Sequence, residues 1–181
     1  PLSFSQQRLW FIEQYEGGTN AYHMPSVFEL APGTDRTAVE HALQGVVARH
    51  EVLRSTVRQG DGEDGVQVVH DVPLAIDWVA VDTEEQLDSM LQEDIDRPFD
   101  LSSDYPIRAR FYGLGTDRTF LLVNTHHIAS DGWSAEVFLR ELFEHYRAHT
   151  EDREVSLPVL DIQYRDYALW QRSYLTGKVL E

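Results

Sequence analysis

The sequence predicts an α/β sandwich in which helices pack on one face of a sheet. Residues 36–50 carry apolar side chains at helical spacing, which predicts a long amphipathic helix. Residues 74–80 and 107–111 instead alternate between two faces, as strands with one buried face do. Helical and strand segments are interspersed along the chain without an internal repeat, so helices and sheet belong to one domain-sized unit.

The other elements follow from local signals. Capping side chains, glycines and prolines mark the helix ends, whereas alternating apolar residues mark the strands. In order, helices are expected from a cap at Ser5 to the glycines at 17–18, at 36–50, from a cap at Asp82 or Thr83 to Pro98, at 135–149 and at 162–174. Strands are expected at 24–30, 52–58, 66–70, 74–80, 107–111 and 120–123.

Composition disfavours several classes of function. The chain has 15 Lys and Arg against 31 Asp and Glu, a net charge of −16, which argues against binding to nucleic acid or to an anionic membrane. It has no cysteine, which removes disulfides and thiolate chemistry and fits a cytoplasmic protein. No apolar run reaches membrane-spanning length and no signal peptide opens the sequence. Because the chain starts at Pro1 without a Met, we interpret it as a piece of something longer.

The most informative stretch, HHIASDGWS at residues 126–134, follows an apolar run and precedes a helical pattern. Its histidines therefore lie at the C-terminal end of a strand, where α/β folds commonly build their sites. Alternation sends the rings of His126 and His127 to opposite faces. This divergence disfavours a shared metal and predicts that one ring faces a cavity while the other is packed and hydrogen-bonded.

Three features of this stretch fit catalysis. An imidazole can accept a proton near neutral pH, and backbone N–H groups at a helix start can stabilise a negative oxygen. Gly132 suits a sharp turn or a close approach to a ligand. Taken alone, however, the two histidines and Asp131 also fit a purely structural role, the latter as a helix cap.

Four motifs resemble those of the condensation domains of nonribosomal peptide synthetases. The pattern His-His-x-x-x-Asp-Gly at 126–132 resembles their active-site signature. The opening motif is matched by SFSQQRLWF at 3–11, with departures at Ser5 and Gln7, the second by RHEVLRS at 49–55, and the fourth by YRDYALWQ at 164–171. The signature alone would also admit related acyltransferases, but the four motifs occur in the family's order.

The resemblance implies a fold and a domain boundary. A condensation domain has two lobes, each similar to a chloramphenicol acetyltransferase subunit with a mainly antiparallel or mixed sheet, which meet around a tunnel. All four motifs belong to the N-terminal lobe. Residues 1–181 are therefore expected to be that lobe (subdomain) without the C-terminal lobe, and to be inactive alone.

The resemblance also implies a reaction. The family forms an amide when the amine of an acceptor aminoacyl thioester attacks a donor acyl or peptidyl thioester. Both substrates are tethered to phosphopantetheine on carrier proteins. The implied partners are the donor and acceptor peptidyl carrier proteins, the C-terminal lobe and an adjacent adenylation domain, and this lobe is expected to bind no cofactor or metal of its own.

Residue roles are carried over on the same basis. His127 is assigned to catalysis, either as a base towards the tetrahedral intermediate or as a residue that orients the amine. Gly132 is assigned a backbone N–H near the thioester oxygen. Structural roles in the active site are assigned to His126, Asp131, Arg54, Trp133 and Ser134, with Asp131 paired to Arg54.

Two other classes of function stay open. The isolated lobe could act only as a carrier-protein-binding module without turnover. A metal-dependent hydrolase using His126, His127 and Asp131 is disfavoured, because the two rings diverge and no third neutral ligand is evident. Within the condensation family, Glu51 followed by Val52 favours the class that accepts an L-configured donor.

Overall fold

The computed structural model describes residues 1–62, 64–129 and 135–174. Its helices are α1 (Phe4–Glu16), α2 (Arg36–Arg49), α3 (Glu84–Asp96), α4 (Ala135–Thr150) and α5 (Tyr164–Tyr174). Its strands are β1 (His23–Glu29), β2 (Ser55–Gln59), β3 (Gly65–Val69), β4 (Ile76–Val81), β5 (Ile107–Leu114) and β6 (Arg118–His126). Short 3-10 turns cover Glu51–Arg54 and His127–Ala129.

The main sheet has four strands in the order β1-β6-β5-β4, and β2 pairs with β3 in a separate hairpin. Strand β6 is antiparallel to both of its neighbours, whereas β4 and β5 are parallel. The prediction of an α/β fold with a mainly antiparallel, mixed sheet is confirmed. Because β6 is paired on both edges, its last residue, His126, is fixed opposite His23 of β1.

The largest core lies between the sheet and the helices α2 and α4. Alternating residues of β5 and β6, such as Phe111 and Leu121, point into this core. Residues of the other parity, Tyr112 and Leu122, pack with Leu87 of α3 on the opposite face. Helix α3 therefore covers part of the second face, a placement that the sequence pattern did not predict, because a helix's apolar stripe does not say which face of a sheet it meets.

Hydrogen bonds explain three of the element boundaries that differ from expectation. Helix α1 is capped by Ser3, not Ser5, because the Ser3 hydroxyl accepts the Gln6 N–H while the Gln6 side chain accepts the Ser3 N–H. Strand β4 begins at Ile76 because both backbone groups of Leu74 are bonded to the side chain of Gln44. A 3-10 turn replaces the expected start of β2, since the Leu53 N–H bonds to the carbonyl of His50.

Within the described part of the chain, no helix combines the length and apolarity that crossing a membrane requires.

Candidate active site

The two histidines of the signature lie where β6 ends and a 3-10 turn begins. The ring of His126 is completely buried, whereas His127 is exposed. The four remaining residues to which the resemblance gives a role in this stretch, namely Asp131, Gly132, Trp133 and Ser134, lie outside the described residues.

Both ring nitrogens of His126 are hydrogen-bonded. Its Nδ1 accepts the backbone N–H of Ile128 at 3.0 Å, so the ring proton must be on Nε2, which donates to Oε1 of Glu13 at 3.0 Å. Burial lowers the pKa of His126 and outweighs the opposing effect of the Glu13 carboxyl group. The imidazole is therefore neutral at pH 7, with its proton on Nε2.

The backbone that carries His127 is held from both sides. Its own N–H donates to the carbonyl of Tyr22 at 2.8 Å, and the next N–H, of Ile128, donates to the ring of His126. Helix α1 adds a third contact, in which the buried Gln6 side chain donates to the Ile128 carbonyl at 3.1 Å. The turn thus presents the exposed His127 from a backbone anchored by buried groups.

Arg54 lies at the end of the second motif with its side chain 17% exposed. Its Nη1 donates to the carbonyl of His70 at 2.9 Å and to Oδ1 of Asp71 at 3.0 Å. Because Asp131 lies outside the described residues, the pairing of Arg54 with Asp131 stays a prediction.

The fourth motif contacts both the first and the second. The Ser3 hydroxyl of the first lies 2.9 Å from the Tyr164 hydroxyl of the fourth, and the Phe4 N–H donates to Gln171. Arg165 of the fourth motif forms an ion pair with Glu51 of the second at 2.8 Å. Segments far apart in the sequence therefore form one support beside the signature.

Two buried acids escaped the sequence interpretation. Glu13 contacts His126, and Glu141 of α4 lies 3.0 Å from Nε of Arg49 and 2.5 Å from Nε2 of His50. Helical spacing could have flagged Glu13, because it follows Leu9 by four residues and Trp10 by three on the buried side of α1. An acid in an apolar stripe indicates a buried partner, but it does not identify that partner.

Among the described residues, no group of three or more His, Cys, Asp or Glu is placed to hold a metal ion. The third residue of the alternative metal site, Asp131, lies outside them, so that alternative is untested.

Comparison with known proteins assigns the chain to a family. A model of the condensation domain matches residues 1–181. A linear gramicidin synthase protein of Brevibacillus parabrevis is 42% identical over the whole chain, which spans 2% of that protein. Malpinin synthetase of Mortierella alpina is 39% identical, again over the whole chain and 2% of the relative.

Solved structures of related domains resemble this chain as well. The X-domain in its complex with OxyB from teicoplanin biosynthesis is 35% identical and superposes with a TM-score of 0.86, covering 97% of this chain and 38% of that one. The first condensation domain of the calcium-dependent antibiotic synthetase, with a bound substrate analogue, shares the fold at a TM-score of 0.80 and 20% identity, covering 98% and 45%. The chain thus spans less than half of each of these two structures and belongs to the condensation-domain family of nonribosomal peptide synthetases.

Proposed function

We propose that this chain is the N-terminal lobe of a condensation domain that joins two carrier-bound substrates through an amide bond. The observation that carries the proposal is the position of His127, exposed at the end of β6 on a backbone held by Tyr22 and His126. A histidine held in this way can meet a substrate that enters from solvent, whereas His126 cannot.

The proposed reaction needs little activation of the nucleophile. An α-amine has a pKa of about 7.7 to 8.0, so roughly a tenth of it is already neutral at pH 7. Its nitrogen attacks the donor thioester carbon, the C–N bond forms, and the C–S bond breaks when the tetrahedral intermediate collapses. The proton on nitrogen must leave, and the departing thiolate must gain one.

His127 is proposed either to take this proton or to orient the amine. General acid–base help of this kind is typically worth about a hundredfold to ten-thousandfold in rate. The backbone N–H of Gly132 is proposed to stabilise the oxygen of the intermediate. Asp131, paired with Arg54, is proposed to hold the active-site loop, and His126, Trp133 and Ser134 are proposed to be structural.

The second lobe is part of the proposal. Aromatic side chains form an exposed row along α5, where Trp170 and Tyr174 stack with ring centroids 5.2 Å apart and are 55% and 57% exposed. Exposed rows of aromatic side chains are unusual on a surface that faces only solvent, which supports a C-terminal lobe that covers this row. The proposed partners are two peptidyl carrier proteins, whose phosphopantetheine arms bring the substrates, and an adenylation domain. The absence of cysteine supports a cytoplasmic setting.

A second candidate is a carrier-protein-binding module without turnover. The likeness to the X-domain supports a role in protein binding, because the X-domain forms a complex with another protein, OxyB. The chain's own signature, with both histidines and the Asp-Gly pair, favours the catalytic proposal.

An intact-mass condensation assay tests the proposal. The chain is combined with donor- and acceptor-loaded carrier proteins, with and without the C-terminal lobe. We expect product only with both lobes, and a loss of at least about a hundredfold in His127→Ala. His149→Ala, which removes an exposed histidine of α4, is the matched control and should keep full activity.

Other outcomes discriminate between the proposals. Product from the 181 residues alone would refute the two-lobe requirement. Carrier binding without product in the two-lobe protein would favour the binding module. Full activity in His127→Ala would remove His127 from catalysis.

A further inference from the structure

Glu13 is a buried acid that no stability argument explains. Its side chain is 4% exposed, and its Oε2 has no hydrogen-bond partner among the described residues. Its Oε1 is hydrogen-bonded to the ring of His126, at 3.0 Å. Burying a carboxyl group beside a neutral ring costs free energy, and a well-packed apolar side chain would avoid that cost. Glu13 therefore calls for another explanation.

The contact determines which nitrogen of His126 carries the proton. An acceptor at Nε2 favours the tautomer with the proton on that atom and leaves Nδ1 as an acceptor. Only this tautomer can accept the Ile128 N–H, which lies 3.0 Å from Nδ1. In the other neutral tautomer, the Nδ1–H of His126 would face the N–H of Ile128, and the hydrogen bond between them would be lost.

The backbone bond lies directly beside the proposed catalytic residue. Ile128 follows His127, and both belong to the turn at 127–129. Two other supports of this turn are the carbonyl of Tyr22 and the side chain of Gln6. Losing the hydrogen bond between His126 and Ile128 would remove an anchor of the turn and let His127 shift relative to the substrate.

The rings of Phe99 and His23 lie beside His126 and offer no acceptor to its Nε2 among the described contacts. The ring of His126 is edge-on to Phe99 with centroids 5.7 Å apart, and it lies 6.1 Å from the ring of His23. The Nδ1 of His23 donates to the carbonyl of Ile95 at 2.7 Å, so this nitrogen is directed away from the pair. Among the described contacts, Glu13 is the one acceptor at Nε2 of His126.

We infer that Glu13 is a positioning residue for the condensation reaction, holding His126 in the tautomer that anchors the turn under His127. The inference rests on the proposed function, since it assumes that His127 does the chemistry. Glu13 itself does not reach the substrate. Its effect should therefore appear in kcat and not in substrate binding.

The test compares three variants in the complete two-lobe domain. Glu13→Leu removes the acceptor, Glu13→Gln keeps a carbonyl that can accept from Nε2, and Glu16→Gln removes an exposed acid from the same helix as a matched control. A misplacement of about 1 Å at a reacting group can cost about a hundredfold in rate. We expect Glu13→Leu to lose about that factor in kcat with KM unchanged, Glu13→Gln to stay within about tenfold, and Glu16→Gln to match the unmodified protein.

A second readout reports the tautomer directly. Nitrogen-15 NMR of the histidine rings should show the proton of His126 on Nε2 at pH 7 in the unmodified chain, and a larger fraction on Nδ1 in Glu13→Leu. If Glu13 had a purely structural role, Glu13→Leu would lower the melting temperature, by less than about 4 °C, and would leave this signal unchanged.

The outcomes separate this inference from the proposed function. Normal kcat in Glu13→Leu, with His127→Ala inactive, would overturn the positioning role alone. Full activity in His127→Ala would overturn the proposed function first. If Glu13→Leu fails to fold, the unmodified protein still decides, because a proton on Nδ1 of His126 would refute the inference.

Discussion

Two glutamates of this chain are equally buried, but their surroundings differ. The side chains of Glu13 and Glu141 are each 4% exposed. Both carboxyl oxygens of Glu141 have nitrogen partners, Nε of Arg49 at 3.0 Å and Nε2 of His50. Glu13 has one partner, a neutral imidazole, and a second oxygen without a hydrogen bond among the described residues.

The difference separates an acid that stabilises the fold from one that serves the site. Glu141 compensates the positive charge of Arg49 and links α4 to the end of α2. Such pairs hold helices in place because either partner alone would be a buried, uncompensated charge. Glu13 compensates no charge, and its contact leads instead to the backbone beside His127.

The largest effect on stability is expected at Glu141. Glu141→Leu leaves the guanidinium of Arg49, 17% exposed, without its acid and should lower the free energy of unfolding by about 3 kcal/mol. Glu13→Leu loses one hydrogen bond to a neutral group and should cost only about 1 kcal/mol. Urea unfolding followed by circular dichroism measures both.

Glu136→Leu, at an exposed position of α4, is the control for the loss of an acid from that helix. Equal losses in Glu13→Leu and Glu141→Leu would contradict the contrast drawn between the two acids.

A smaller effect on stability is expected when the pH is lowered. Because burial lowers the pKa of His126 in the folded chain, the unfolded chain binds its proton more readily. The stability that the neutral ring contributes is therefore complete above about pH 6.5 and is lost as the pH falls towards the lowered value of the folded state. The slope from this group reaches up to about 1.4 kcal/mol per pH unit.

The contribution of His126 is isolated by comparing urea midpoints at pH 7.5 and 5.5 in the unmodified chain and in His126→Asn. The asparagine carbonyl can still accept the Ile128 N–H but does not titrate. An equal loss of stability in both proteins between these pH values would show that His126 is not the group that responds.

The smallest effect on stability is expected at ion pairs whose acids are exposed. Arg118 forms ion pairs with Glu29 at 2.7 Å and Glu84 at 2.9 Å, and all three side chains are open to solvent. Water and salt screen such pairs, so they contribute little to stability. Arg118→Ala should leave the melting temperature unchanged at about 0.15 M salt. A drop comparable to that of Glu141→Leu would show that exposure does not distinguish these acids.

Much of the fold was predictable because its signals are local. The apolar spacing of 36–50 predicted α2, and alternation predicted that the two histidines of the signature would face opposite ways. The structure shows one of these rings buried and the other exposed, while the catalytic and structural roles assigned to them stay predictions. The boundary at Ile76 was missed because the Gln44 side chain, 30 residues from Leu74, replaces a strand partner.

Residues close together in the chain carry the signals for the class of the fold, for the four motifs and for the family to which they belong, so these could be inferred without coordinates. The contacts of Glu13 with His126 across 113 residues and of Glu141 with Arg49 across 92 are visible only in the folded chain. Periodicity identifies the buried face of an element, but the partner that this face meets depends on how distant elements pack. That packing gave two similar acids different surroundings.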